Sequence, residues 1–246
     1  MDHETPRPPL HYVACVSYPR SGHHVTARVL SAYFGAAFRH CEFHSLRADE
    51  CCKRFPCRDP SVTMSKCHDF SLCGWLRRGV RPSPSTRCLV LVRSFLDAAT
   101  SEYEMTRRAA PGAPDTAAEW RGFALSRARY YRRFATKWVF RGGGTRHVMR
   151  YEDLTARPLE ELAGVVRLFE PSTPPDTTRL RACIETASSL EVRDGVVVLV
   201  PGSGIRDRRD LGGFRWFDPA FFARIERSLE GVLRKLGYAP RFGGHG

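Results

Sequence analysis

Residues 11–30, HYVACVSYPRSGHHVTARVL, decide how this chain is read. Residues 11–17 form a short apolar run that reads as a buried strand. From Gly22 to about Phe38 the apolar positions Val25, Val29, Leu30 and Phe34 recur at helical spacing. Between the two stands Pro-Arg-Ser-Gly. In a parallel sheet such a turn sits at the carboxyl end of its strand, where the first N–H groups of the following helix lack partners within the helix. That arrangement suits an anion. Gly22 lets the backbone approach an oxyanion, Ser21 offers a hydroxyl, and Arg20 offers charge for a phosphate or sulfate. His23 and His24 fall in the first helical turn and could add donors. The turn alone is equally readable as a plain strand-to-helix connection, so its neighbours must decide.

Working outward, CLVLV at 88–92 is a second short apolar run, followed by a helical pattern from Leu96 to Arg108. A Gly/Pro-rich loop near 110–115 precedes a long helical stretch in which Trp120, Phe123, Tyr131, Phe134 and Trp138 share one side. HVMRYE, 147–152, is a third strand, and Pro158 opens a helix that runs to about Glu170. A helix near 177–188 and an apolar run at 196–200 follow. The last helix has Asp218 as N-cap, Pro219 in its first turn, an apolar face of Phe222, Ile225, Leu229, Val232 and Leu236, and Gly237 as its stop. Strands alternating with helices imply an α/β fold, a single domain with a mostly parallel central sheet flanked by helices. The expected limits are a flexible N-terminus at 1–10, one domain over 11–240 with a Cys-rich irregular insertion at 39–62, and a flexible tail at 241–246.

The composition narrows the partners. Lys and Arg number 39 against 26 Asp and Glu, a formal net charge of +13, which calls for an anionic partner. No apolar stretch approaches the roughly 18 residues needed to span a bilayer, and the first ten residues lack the basic-then-apolar order of a signal peptide. A cytoplasmic protein without stable membrane insertion is expected. The cysteines number nine, and five of them, Cys41, Cys51, Cys52, Cys57 and Cys67, lie between His40 and His68. The odd total argues against a full disulfide framework. The cluster lacks two matched C-x2-C pairs, which favours a reduced or locally disulfide-tied loop over zinc.

Four stretches together resemble one family. SYPRSGHHV is similar to the 5′-phosphosulfate loop of sulfotransferases that use 3′-phosphoadenosine 5′-phosphosulfate (PAPS), whose usual form is YPKSGTTW. CLVLVRSFLDAATSEYEM resembles the same family's 3′-phosphate motif at Arg93, Asp97, Ser101 and Tyr103. MRYEDLTARPLEELAGVVRLF resembles its YEDL-x-x-x-P segment, and DPAFFARIERSLEGVLRKLGY its closing helix. The resemblance implies a P-loop-NTPase-like sulfotransferase fold and PAPS as the sulfuryl donor, with no metal. Arg20, Ser21, Gly22, His23 and His24 are then expected to bind the cofactor with Arg93 and Ser101. The family's third anion contact comes from a basic loop before the last helix, where this chain carries Arg206, Arg208 and Arg209; which of the three meets the 3′-phosphate is open. SKCHDF, 65–70, resembles the family's K-T-H segment, which makes His68 the base and Lys66, with Arg20, the stabiliser of the leaving phosphate. Alternate residues on an extended segment point one way, so Lys66 and His68 are expected to face one cleft with Cys67 turned back.

The departures are Arg20 for the usual Lys, and His23-His24 for Thr-Thr. They keep donors but leave His23 or His24 as an alternative base. The expected reaction is sulfuryl transfer to an acceptor hydroxyl or amine on a carbohydrate or small molecule. Nucleic acid is not an expected partner, and a homodimer is left open. Two rivals remain. One is a nucleotide-dependent kinase of related fold, against which the missing G-x-x-x-x-G-K-[ST] pattern counts. The other is a basic noncatalytic nucleic-acid binder, which the net charge alone would allow.

Overall fold

A computed structural model describes residues 9–42, 56–69, 85–186, 188–193, 196–201 and 209–242. Its centre is a five-stranded, all-parallel sheet in the order β2-β3-β1-β4-β5. The strands are β1 (Val13–Ser17), β2 (His40–Glu42), β3 (Met64–Cys67), β4 (Arg87–Val92) and β5 (Arg146–Arg150). Helices α1 (His23–Phe34), α2 (Phe95–Ala109), α3 (Ala117–Phe134), α4 (Tyr151–Ala156), α5 (Pro158–Phe169), α6 (Thr177–Glu185) and α7 (Pro219–Lys235) flank it. A separate antiparallel hairpin pairs β6 (Ser188–Arg193) with β7 (Val196–Pro201).

Side-chain alternation along the central strands builds two cores. Val13 and Cys15 of β1, with Leu89 and Leu91 of β4, pack among residues of α1, α5 and α6. Ala14 and Val16, with Val90 and Val92, pack on the opposite face among residues of α2, α3 and α7. A strand buried on both faces must be apolar at every position, which is why VACVS and CLVLV read as continuous runs. Strand β1 lies wholly in the core, and in β4 only the leading Arg87, ahead of CLVLV, is partly exposed. The α2–α7 core is aromatic: Trp120, Tyr131, Phe134, Trp138 and Phe222 are each at most 2% exposed.

The helix ends follow their signals. Asp218 Oδ1 accepts from the Phe221 N–H at 3.0 Å, Pro219 opens α7, and Gly237 takes a φ of +76° just beyond its end. Thr116 caps α3 by accepting from the Glu119 N–H at 3.2 Å. One expectation needs correcting. The segment 39–62 is not irregular throughout, because His40–Glu42 form an edge strand paired in parallel with Met64–Lys66. The run at 196–200 is a strand, but it belongs to the hairpin and not to the central sheet. Of the expected flexible ends, 1–10 and 241–246, residues 1–8 and 243–246 lie outside the described residues, as do Cys51 and Cys52, while Arg241 is held by Ser94 and Asp97. Among the described residues no helix is long and apolar enough to cross a membrane.

Candidate functional site

The turn after β1 is unusual in its backbone. Arg20 has a φ of +65°, which a non-glycine residue rarely adopts, and Gly22 at +87° is the N-cap of α1. Glycine is required at position 22 twice over. A Cβ there would meet Tyr151 Cδ2 at 2.8 Å, and the left-handed conformation disfavours any other residue. As N-cap, Gly22 brings no side-chain cap to the first turn of α1. Ser21 is 1% exposed, and among the described residues its hydroxyl oxygen has no hydrogen-bond partner. A buried hydroxyl left unsatisfied costs about 1–3 kcal/mol, which a bound oxyanion beside the α1 amides would offset.

The end of β4 meets this turn. Arg93 Nη1 donates to the Arg20 carbonyl at 3.2 Å, and its guanidinium lies 4.3 Å over the Tyr151 ring. Tyr151 is therefore the floor beneath both Gly22 and Arg93. Arg20 Nε donates to Ser101 Oγ at 3.0 Å, and Arg20 Nη1 reaches Met105 Sδ at 3.3 Å. Arg20 is thus laid along α2 toward the second motif. Burial, followed by the neighbouring Arg93 and Arg108, lowers the Arg20 pKa. Two neighbouring like charges repel, and an anion between them turns that repulsion into attraction. Arg93 Nε is buried with no partner among the described residues.

Buried contacts hold this end in place. The Ser94 N–H donates to Glu152 Oε1 at 2.9 Å, and the Tyr238 hydroxyl to Glu152 Oε2 at 2.8 Å. The Tyr131 hydroxyl donates to the Arg93 carbonyl at 2.9 Å. Arg241 donates to Ser94 Oγ at 3.0 Å and forms an ion pair with Asp97, whose side chain is 1% exposed.

On the other side of β1, β3 brings Lys66 level with Cys15, with Lys66 8% exposed. Residues in register on neighbouring strands share a face, so Lys66 lies on the α1 side of the sheet and Cys67 on the other. His68 follows at the strand's carboxyl end. Its Nδ1 lies 2.7 Å from the Ser17 carbonyl and 3.1 Å from Ser17 Oγ. A carbonyl can only accept, so Nδ1 carries the proton and Nε2 is the basic nitrogen of the neutral ring. The Tyr130 hydroxyl donates to the His68 carbonyl.

His23 is placed differently from the expected phosphate donor. It is 4% exposed and turned beneath the loop, with Nδ1 3.2 Å from Cys15 Sγ and Nε2 3.2 Å from His40 Nε2. Burial pushes the Cys15 thiol up, so it stays protonated and donates to Nδ1, which leaves Nε2–H to donate to His40. Burial, then Lys66, His40, His24 and His68, holds His23 well below its ordinary 6.5. His24 is exposed. Arg209 forms a two-toothed ion pair with Glu104, one turn along α2 from Ser101, with Nη1 to Oε2 at 2.8 Å. Arg206 and Arg208 lie outside the described residues.

The structure therefore brings Arg20, Ser21, Gly22, Arg93 and Ser101 together, with His68 against Ser17 at the end of β3 and Lys66 in register with Cys15. The sequence reading missed Tyr151 and Glu152 as supports, although both stand in the YEDL stretch it singled out, and missed Ser17, Tyr130 and Asp69. An open cavity of about 410 Å³ lies between α2 and α3, lined by Tyr103, Arg107, Phe123 and Arg127 among others. None of the residues just gathered lines it. Among the described residues no group of three or more His, Cys, Asp or Glu side chains is placed to hold a metal ion. No family model matches this chain, and no curated protein matches it.

Proposed function

We propose that this protein is a PAPS-dependent sulfotransferase with a P-loop-NTPase-like fold, transferring a sulfuryl group to an acceptor hydroxyl or amine on a carbohydrate or small molecule. The observation that carries this reading is the pair of buried donors, Ser21 Oγ and Arg93 Nε, that have no partner among the described residues, where the β1 turn meets the β4 end. The nine cysteines, an odd number, favour a reducing compartment and hence the cytoplasm.

PAPS supplies an activated sulfuryl group whose sulfur–oxygen bond to the 5′-phosphate breaks as the bond to the acceptor forms. His68 Nε2 takes the proton of the acceptor hydroxyl or amine, while Ser17 holds the opposite ring nitrogen and so fixes the tautomer that can do so. Ser21, the first amides of α1 and Arg20 face the phosphate that departs, and Lys66 adds positive charge near that end of the sheet. Arg93 and Ser101 bind the second phosphate, and Arg209, reaching α2 one turn beyond Ser101, is the described arginine best placed to join them. Tyr151 seals the underside and keeps Gly22 close to the anion.

The test is thermal. 3′-Phosphoadenosine 5′-phosphate should raise the melting temperature far more than AMP or ATP with Mg²⁺, and Arg93→Ala should remove most of that gain. Equal stabilisation by AMP would reject the assignment of two phosphates, and preference for ATP with Mg²⁺ would favour the kinase reading.

A further inference from the structure

Asp69 follows His68 directly. Its side chain is fully buried, and its backbone has a φ of +50°, the second non-glycine residue with a positive φ among those described. Lys137 Nζ and Trp138 Nε1 both donate to its Oδ2 at 2.7 Å. Adjacent residues of a regular α-helix do not face one point. These two converge because they lie in a π-helical turn, Ala135–Phe140, that continues α3, and such turns gather at functional sites. The Asp69 N–H donates to Cys67 Sγ at 2.9 Å.

Stability does not account for this arrangement. Replacing a buried ion pair with apolar side chains is often neutral or stabilising, and a strained backbone adds about 1–3 kcal/mol of cost. What the pair secures is the residue next to it. The α3 helix and its π turn grip the chain at two successive residues, with Tyr130 on the His68 carbonyl and Lys137 and Trp138 on the Asp69 carboxylate. From the opposite side Ser17 receives the His68 ring. We propose that Asp69 and Lys137 form a positioning unit that locks the His68 imidazole against Ser17, with its basic nitrogen presented to the acceptor. The inference deepens the sulfotransferase reading, and its kinetic arm rests on that reading.

Among the described residues, the groups facing His68 are His23 on α1, Tyr130 on α3 and Ser17 on β1, and Lys66 of β3 with His24 and His40 acts on His23 in turn. Against that constant background, the two partners in the unit carry opposite charges and can be removed one at a time. The experiment follows the His68 ring by NMR through a pH titration of the full chain without nucleotide at low salt. Asp69→Asn leaves the Lys137 ammonium without its carboxylate, one residue along the chain from His68, and should move the ring's titration down by about 0.3 pH unit or more. Lys137→Met leaves a carboxylate and should move it up by a similar amount. Asp69→Asn keeps an oxygen for Trp138 Nε1, and Lys137→Met decides the matter if the first variant does not fold. Turnover in Asp69→Asn should fall about tenfold or more with nucleotide affinity changed less than twofold. Shifts of the same sign, or none, overturn the proposal, as does a loss of nucleotide affinity as large as the loss of turnover. A wild-type chain that ignores the nucleotide rejects the sulfotransferase reading alone, and the opposed NMR shifts then uphold the positioning unit without it.

Discussion

Where β1 and β4 end, the site is held by a left-handed turn packed on Tyr151 and by buried contacts from Glu152 and Arg241; where β3 ends, it is held by the buried Asp69 carboxylate and by side-chain contacts reaching in from α3 and β1. At the first end, Gly22 is fixed over Tyr151, Glu152 ties Ser94 to Tyr238, and Arg241 is inserted onto Asp97. At the second, His68 depends on Ser17, Tyr130 and the Asp69 unit. The first end suits an anion whose charge and size are known in advance, because preorganised donors act best when they need not move. The second must admit an acceptor and let a ring exchange a proton. If the two ends are independent in this way, each should fail without the other.

The largest effect is expected at Gly22. Gly22→Ala places a methyl group 2.8 Å from Tyr151 Cδ2 on a backbone with φ +87°, so the turn must shift. Strain of this kind costs about 1–3 kcal/mol, and the displaced amides and Ser21 should abolish the gain in melting temperature from 3′-phosphoadenosine 5′-phosphate. The His68 NMR titration should keep its wild-type course. Calorimetric scans with and without nucleotide check the first outcome. A shifted His68 would mean the two ends are coupled.

His68→Ala is the converse. Turnover should fall by about 10² or more, which corresponds to roughly 2.7 kcal/mol of transition-state stabilisation, while nucleotide affinity stays near wild type. The imidazole is bound to Ser17, and neither Arg93 nor Ser101 depends on it. Affinity and product formation measured on the same preparation separate the two quantities. Near-normal turnover would transfer the base to exposed His24; matched losses of affinity and turnover would merge the two ends into one.

The same contrast explains what could be read from the sequence. The anion end was legible because its information is local: an apolar strand, a Gly turn and a helical period lie within residues 11–38, and Arg93 and Ser101 stand eight residues apart on one strand–helix unit. Helix α7 was legible for the same reason, with cap, Pro and stop all within twenty residues. The end of β3 was legible only at Lys66 and His68. Strands β2 and β3 have three and four residues, too few to establish a period, and their His, Cys, Ser and Lys give no apolar alternation. Asp69 meets its partners 68 and 69 residues later in the chain, a pairing that exists only in the folded state. His23 was read as a phosphate donor from its place in the first turn. Sequence position could not tell which way its ring would turn, and Cys15 and His40 settle that.

His23 lies beneath the anion turn and against β2, and it gives the smallest and most local effect, one that falls on stability and not on catalysis. Its folded pKa lies well below its ordinary 6.5, chiefly through burial, so the folded chain keeps this ring neutral where the unfolded chain protonates it. Below about pH 6.5 the unfolded state therefore binds one more proton at this site, and stability must rise with pH through that window and fall on acidification. One proton corresponds to about 1.4 kcal/mol per pH unit at most, or about 3–6 °C in Tm for a chain of this size. His23→Gln removes the titration. Its Tm should decline less steeply than that of wild type between pH 6.5 and 5.5, whatever the other histidines contribute to both. The His40–His23 contact joins the β2 edge to α1, so the acid-induced loss should show first as hydrogen-exchange opening of residues 40–42 and 64–67, with the amides near Arg93 still protected. Parallel Tm slopes in the two proteins would place the acid sensitivity elsewhere, and simultaneous opening near Arg93 would show that the two ends of the site unfold as one unit.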